Sequence, residues 1–122
     1  MTARRREAPA IGRRIIDPAA VLDAMADATL VIDGAGVVRY VNAAAEEFFA
    51  LGEGHMVGHR LDALLPAHSP VHAVVAQVRE GGGTRVEYDV AFENPRMGAR
   101  LATLQASALP EVQGAVVAVL RA

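Results

Sequence analysis

Cysteine is absent from this 122-residue chain, and aromatic residues make up only 4% of it. Without cysteine, disulfide bonds, thiolate zinc sites and cysteine nucleophiles are excluded. Long apolar runs are also missing: the longest, Ala115–Leu120, is strand-sized, whereas a membrane-crossing helix needs about 18 apolar residues. No apolar stretch follows the arginines near the N-terminus, which argues against a secretory signal. We therefore expect a cytoplasmic protein that does not enter a membrane.

Charge is divided unevenly along the chain. The formal net charge is −2, yet the first fourteen residues hold five arginines and one glutamate, so the remainder is acidic. We interpret residues 1–14 as a flexible basic leader and residues 15–122 as one folded domain, for which a hydrophobic content of 52% is sufficient. A basic arm could contact nucleic acid or acidic lipid, but the acidic body has no basic stripe. We predict no nucleic-acid partner.

The first half of the chain predicts a short helix followed by a β-hairpin. Asp17 and Pro18 are typical of a helix start, and apolar residues at helical spacing continue to about Ala26. Two β-rich runs follow, Thr29–Ile32 and Val37–Val41. The helix is too short to be stable alone, so it must pack against another part of the protein.

Turn and cap residues define the predicted connections. Asp33-Gly34-Ala35-Gly36 supplies two glycines that can adopt positive φ, as a tight hairpin requires. Asn42 can cap a second helix, which carries Phe48 and Phe49 on one face and which Gly52 can end. In the second half, Ser69 and Pro70 are a suitable N-cap and first residue for the longest helix. The residues expected to be structural for these reasons are Asp33, Gly34, Gly36, Asn42, Ser69 and Pro70.

The longest helix and three strands complete the prediction. Four valines at helical spacing place the helix over Pro70–Glu80, and three glycines end it. The next strand has an alternating apolar set, with Glu87 and Asp89 between its members and expected to face outward. That apolar set is Val86, Tyr88, Val90 and Phe92. Strands over Arg100–Leu109 and Ala115–Arg121 follow. This order predicts an α+β fold: a five-stranded antiparallel sheet with an N-terminal helix and further helices inserted between strands 2 and 3.

The element order and several motifs together resemble the PAS family. The segment from Leu30 to Gly36, followed by Val38–Glu46, is similar to the opening of a PAS domain: strand, turn, strand and Asn-capped helix. Other segments resemble one branch, the N-terminal domains of NtrB-type nitrogen-regulation sensor histidine kinases. The resemblance extends from about Asp17 to Leu120. The segments that carry it are Leu61–Pro66, Ser69-Pro70, Glu87–Val90, Pro95–Gly98 and Leu109-Pro110.

The resemblance implies a non-catalytic sensory or dimerisation domain of a two-component system. Full-length members of that branch phosphorylate themselves on a histidine and control an NtrC-type response regulator, under the influence of a PII protein. The phosphorylated histidine and the nucleotide-binding segments are expected beyond Ala122, so the kinase domains of the same parent chain are expected partners. The residues themselves show no triad and no paired carboxylates at a meaningful spacing.

Binding of a cofactor or a metabolite by a PAS-type cavity is the alternative function. Flavin photochemistry of the LOV type requires a cysteine, which is absent. His72 is the candidate axial ligand for haem, but it lies away from the valine stripe of its helix, and the other histidines lack metal-ligand spacing. We therefore predict no cofactor and no metal. The residues that could line a cavity, with core packing as the simpler interpretation, are Tyr40, Phe48, Phe49, Leu64, Leu65 and Val75.

The N-terminal helix is the surface for which we predict a function. Its apolar stripe, extended by two preceding isoleucines, would lower solubility if it stayed exposed. In PAS-like sensors the equivalent helix usually pairs with its twin, so the resemblance implies a homodimer; covering the sheet of the same chain is the alternative. The predicted interface residues are Ile15, Ile16, Val21, Leu22 and Met25.

Overall fold

A computed structural model describes residues 15–122, so the predicted basic leader lies outside the described residues. The elements follow the predicted order and confirm the predicted α+β fold. A single-turn 3-10 helix, Glu53–His55, lies between the second and third α-helices. The elements are α1 (Pro18–Ala24), β1 (Ala28–Ile32), β2 (Val38–Val41), α2 (Ala43–Phe49), α3 (Leu61–Leu64), α4 (Pro70–Gly81), β3 (Thr84–Asn94), β4 (Gly98–Ala108) and β5 (Val116–Arg121).

The five strands form one antiparallel sheet with the spatial order β2-β1-β5-β4-β3. Paired residues in neighbouring strands point to the same face. Leu30 opposite Ala118 and Leu104 opposite Leu120 are all buried and define the inner face, on which α2 and α4 pack. The opposite, outer face carries no helix from the middle of the chain. The core is therefore a single layer between one sheet face and its inserted helices.

Helix α4 forms because burial of its valines outweighs their weak intrinsic preference for helix. Ser69 accepts a hydrogen bond from the Val71 amide at 3.3 Å, and Pro70 occupies the first turn. Burying each valine contributes ~1.5–3 kcal/mol, more than the weak helix propensity of a β-branched residue costs. All four of its buried residues are the valines of the predicted stripe: Val71, Val74, Val75 and Val78.

The two glycines of the β1–β2 hairpin are needed for different reasons: Gly36 for its backbone conformation and Gly34 for a close contact with another loop. Gly36 has a φ of 85°, which only glycine adopts without strain. Gly34 does not have positive φ, so that part of the prediction is wrong. Its backbone instead lies so close to the β4–β5 loop that a Cβ on Gly114 would be 3.0 Å from the Gly34 Cα. The absence of a side chain at Gly34 and Gly114 allows two loops to meet.

Helix α2 ends earlier than predicted. Its last residue is Phe49, and Ala50 adopts the left-handed conformation with φ 55° and ψ 39°. The predicted role of Gly52 is therefore wrong, since an alanine occupies the position where glycine is usual. The terminal carbonyls are satisfied from the β3–β4 hairpin: Asn94 donates to the Phe49 oxygen at 3.0 Å and Arg100 to the Phe48 oxygen at 3.1 Å. These contacts hold α2 against the sheet.

A β-bulge in β3 overturns the predicted alternation. Glu87 pairs with Leu104 and Val90 with Ala102, so Tyr88 and Asp89 together oppose a single residue, and Asp89 has a φ of 54°. After the bulge, Val90 and Phe92 face the core as predicted. Before the bulge, the residues of β3 point to the sheet faces opposite to those predicted. Val86 is exposed, Tyr88 within the bulge is exposed, and half-buried Glu87 lies on the inner face opposite buried Leu104, contrary to the prediction.

Candidate functional site: the N-terminal helix and the interior cavity

Helix α1 has an apolar stripe that remains largely exposed within residues 15–122. None of its residues is buried. Ile15 and Ile16, which precede it, are 88% and 74% exposed, and Val21 and Met25 are 48% and 42% exposed. Leu22 is half-buried. Four of the five predicted interface residues are thus exposed and the fifth is half-buried, and we call the set the α1 surface: Ile15, Ile16, Val21, Leu22 and Met25.

Asn42 anchors the end of α1 to the core. Its side chain is completely buried, and its amide nitrogen donates to the Leu22 and Asp27 backbone oxygens, each at 2.9 Å. The side-chain oxygen accepts from the Thr29 and Ala45 amides, also at 2.9 Å. Every hydrogen-bonding position of the amide is used. The sequence identified Asn42 as a cap of α2. Its bonds to Leu22 and Asp27 could not be identified in this way, because those residues precede Asn42 by 20 and 15 positions.

Tyr40 provides the second attachment of α1. It pairs with Val31 and therefore lies on the outer face of the sheet, whereas its neighbour Val41 faces the core. Its hydroxyl donates to the Ala19 oxygen at 2.9 Å and lies 3.4 Å from the Asp23 carboxylate. Partial burial, together with the negative charge of Asp23, raises the pKa of Tyr40 above its ordinary value. Polar contacts therefore position α1 while its large apolar side chains remain available.

The interior cavity is almost filled. A void of about 10 Å³ lies between α2, α3 and β1, which is at most the space of one water molecule. Of the six residues predicted as cavity lining, Phe49, Leu64 and Leu65 meet at this void, with Met56 completely buried beside them. A haem or flavin does not fit this void as it stands.

The remaining three predicted cavity residues lie elsewhere. Phe48 packs edge-to-face against Phe92, with ring centroids 5.4 Å apart, and the Arg100 guanidinium lies 4.8 Å from its ring centre. Val75, on α4, is buried and lines a different cavity, next to the β1–β2 hairpin. Tyr40 is on the outer sheet face. The structure therefore divides the six residues among four environments.

No catalytic or metal-binding constellation appears in the part of the chain that the structure describes. His72 contacts the Pro66 oxygen through Nε2 at 3.0 Å, and the other three histidines are exposed. Between residues 15 and 122, no three histidine, aspartate or glutamate side chains come close enough together to bind a metal ion. Nor does any helix in that range have both the length and the apolar character needed to cross a bilayer.

Two features were not predicted from the sequence. Val86 and Tyr88 are exposed on β3, and Leu101 is exposed on the neighbouring strand β4. Arg79, on α4, donates to the Asp33 and Gly114 backbone oxygens at 2.9 Å each and so connects two loops to that helix. The only sequence signal for the bulge is an aspartate in a strand, since aspartate tolerates positive φ better than most residues. Arg79 has no such signal, because both of its partners are backbone atoms distant in sequence.

Comparisons with known proteins agree with the fold. The PAS fold family matches residues 16–122. A sensory histidine kinase/phosphatase NtrB from Azospirillum brasilense is 41% identical over 99 residues, which are 81% of this chain and 25% of that protein. The NtrB of Rhizobium meliloti (strain 1021) is 34% identical over 103 residues, 84% of this chain and 27% of that protein.

A solved structure gives the same result. The crystal structure of the PAS domain of nitrogen regulation protein NR(II) from Vibrio parahaemolyticus superposes with a TM-score of 0.72 at 27% identity. The match covers 85% of this chain and 95% of that one.

The chain belongs to the PAS family. Within that family, the predicted resemblance to the PAS domains of NtrB-type sensory histidine kinases is confirmed by both sequence relatives and by the solved domain. The chain spans only about a quarter of the length of those curated relatives.

Proposed function

We propose that this chain is the sensory and dimerisation domain of a nitrogen-regulation histidine kinase in the cytoplasm. In this proposal the kinase domains belong to the same parent chain and act on an NtrC-type response regulator. The names of the two sequence relatives support the parent's activity, and the quarter-length match supports a role as one module of it. The domain itself contributes no reacting group and acts through shape and self-association.

The observation that carries the self-association is the exposure of the large apolar side chains of the α1 surface. Asn42 and Tyr40 fix the helix to the domain, so its apolar side chains are presented in a defined arrangement. Burying them against a second copy removes apolar area from water at little cost in ordering, because the helix is already held. In a two-fold dimer the same patch serves both partners.

A contact at the end of β5 suggests how the α1 surface is linked to the kinase region. The Arg121 guanidinium forms an ion pair with the Asp27 carboxylate at 2.9 Å, in the segment between α1 and β1. The Asp27 backbone oxygen accepts from Asn42. In this proposal, a change in how α1 pairs reaches the last strand through three successive contacts, Leu22 with Asn42, Asn42 with Asp27 and Asp27 with Arg121, and the kinase region follows that strand.

Analytical ultracentrifugation of two charge variants tests the proposal. Val21→Glu places a charge in the α1 surface, and Val112→Glu places the same charge at an equally exposed valine in the β4–β5 loop, since the two are 48% and 50% exposed. The wild-type chain and Val112→Glu should sediment as dimers at micromolar concentration, and Val21→Glu should be monomeric with an unchanged melting temperature. A monomeric wild-type chain, or equal weakening by both variants, overturns the self-association.

A further inference from the structure

One of the surface cavities lies beneath the β1–β2 hairpin, apart from both the interior void and the α1 surface. Its volume is about 330 Å³, at the lower end of the range for small-molecule sites. The hairpin residues 34–36 form one wall, the start of α3 a second and the flank of α4 a third. Ile32, Leu61 and Val75 reach it from the hydrophobic core, so its floor is apolar.

The rim of this cavity carries two arginines. Arg60 donates to the Ala35 oxygen at 3.0 Å and forms an ion pair with Asp62 at 3.1 Å, so its charge and that of Asp62 offset each other. This pairing raises the pKa of Arg60 and lowers the pKa of Asp62, which keeps both groups charged. The pair therefore adds polar groups to the rim without adding net charge.

Arg79 differs from Arg60 in its hydrogen-bond partners, which are uncharged backbone oxygens and not a carboxylate. Its Nε donates to the Gly114 oxygen and a terminal nitrogen to the Asp33 oxygen, each at 2.9 Å. Arg79 takes part in none of the ion pairs formed among residues 15–122. Backbone carbonyls fix the position of a guanidinium without adding a formal negative charge next to it. A half-buried charge of this kind is stabilised by an anion that enters the cavity.

The other groups in the cavity agree with an anionic ligand. His72, on the same face of α4, has one ring nitrogen on the Pro66 oxygen at 3.0 Å and carries no negative charge. Asp62 is the only carboxylate side chain that lines the cavity within the described residues, and it is already paired with Arg60. The apolar floor suits a short carbon chain next to the charged group.

We propose that this cavity binds a small organic anion, a carboxylate or phosphate with a short aliphatic body, with Arg79 as its main charged contact. The site is separate from the surface proposed for self-association. It gives the domain a place to sense a metabolite although its interior is filled. Binding would also touch both loops that Arg79 connects, the β1–β2 hairpin and the β4–β5 loop.

The test is a titration of the isotope-labelled 122-residue chain followed by amide chemical shifts. Butyrate, its uncharged isostere butyramide and inorganic phosphate are the three probes. Saturable shifts should be confined to the amides of residues 34–36, 72–79 and 114, with butyrate or phosphate but not with butyramide. A response to butyrate alone assigns a carboxylate, and a response to phosphate alone assigns a phosphate. Equal binding of butyramide, or no saturation by either anion at millimolar concentration, overturns the proposal.

Two variants and one control locate the binding. Arg79→Gln should weaken binding about tenfold or more, because hydrogen bonds to a charged group are lost. His72→Phe adds bulk to the wall without altering Arg79 and should also weaken binding, which keeps the test decisive if Arg79→Gln unfolds. Arg85→Gln removes an exposed arginine of β3 that lies outside the cavity and takes part in none of the ion pairs formed among residues 15–122, and binding should stay within about twofold. Similar weakening by Arg85→Gln would show non-specific attraction and overturn the site.

Discussion

The side chain of Asn42 and the backbone of Thr29 are joined by a hydrogen bond of 2.9 Å in the core. Thr29 is 1% exposed and Asn42 is fully buried, so water does not replace this bond if it is lost. The same Asn42 oxygen caps α2, and its nitrogen holds the end of α1. One amide therefore fixes the starts of β1 and α2 relative to the helix that we propose as the dimer interface.

Replacing Asn42 with alanine should destabilise the domain by about 2–4 kcal/mol. The change removes a helix cap and leaves the buried Thr29 amide without an acceptor. Urea unfolding followed by circular dichroism gives the difference in free energy. Ser69→Ala is the matched control, because it removes a cap with a single 3.3 Å bond and should cost about 1 kcal/mol or less. Equal effects of the two variants would contradict the central role of Asn42.

Replacing Gly36 with valine should lower the stability by at least about 1 kcal/mol, since a β-branched residue is strained at a φ of 85°. Thermal melting is a sufficient measurement. Gly54→Ala is the control: Gly54 does not have positive φ, and an added Cβ would meet no atom within 4 Å. We expect Gly54→Ala to be neutral or slightly stabilising. An unchanged melting curve for Gly36→Val would mean that the hairpin turn is misplaced.

Replacing Ala50 with glycine should stabilise the domain, by up to about 1 kcal/mol. Ala50 adopts φ 55° at the end of α2, and glycine removes the steric cost of that conformation. The same substitution at Ala43, in the first turn of α2, should destabilise because it only adds backbone freedom. Denaturant midpoints of both variants measure the contrast. A loss of stability in Ala50→Gly would show that Cβ contacts outweigh the strain.

Stability should fall in acid through Asp33. Its carboxylate accepts from the Val37 amide at 3.0 Å and from Arg39 at 2.7 Å, and these bonds lower the pKa of Asp33 below its ordinary 3.8. Because the folded-state pKa is the lower one, the stabilisation is present above about pH 3.8 and is lost as pH falls through the folded-state value. Asp33→Asn should flatten the decline in melting temperature below that pH. Arg39→Gln should flatten it less, since the backbone donor that acts most strongly remains. Identical acid profiles for wild type and Asp33→Asn would contradict this assignment.

The sequence was most informative where a pattern is local. Four valines at helical spacing and a Ser-Pro start define α4, and their burial depends only on which face of that helix meets the sheet. The order of strands and helices was likewise sufficient to predict the fold, because few antiparallel arrangements accommodate it.

The errors arise where the conformation depends on a distant partner. The β3 bulge exists because two residues oppose one in β4, which a period-2 pattern in β3 does not contain. Gly34 needs no positive φ, and its importance comes from Gly114, eighty positions later in the chain. The filled interior depends partly on Met56, which lies in a short segment without periodicity. The apolar stripe of α1 was visible in the sequence, but only the structure shows that none of its residues is buried.

The most direct test of the central claim is single-cysteine cross-linking, which the absence of native cysteine makes clean. Cysteine is introduced singly at Ile16, Val21 and Met25 of the α1 surface, and at Val112 as an equally accessible control. Mild oxidation at low micromolar concentration should give a disulfide-linked dimer for at least one α1 position and none for Val112→Cys. Cross-linking that is absent from all three α1 positions, or equally efficient at Val112, would contradict a dimer formed through α1.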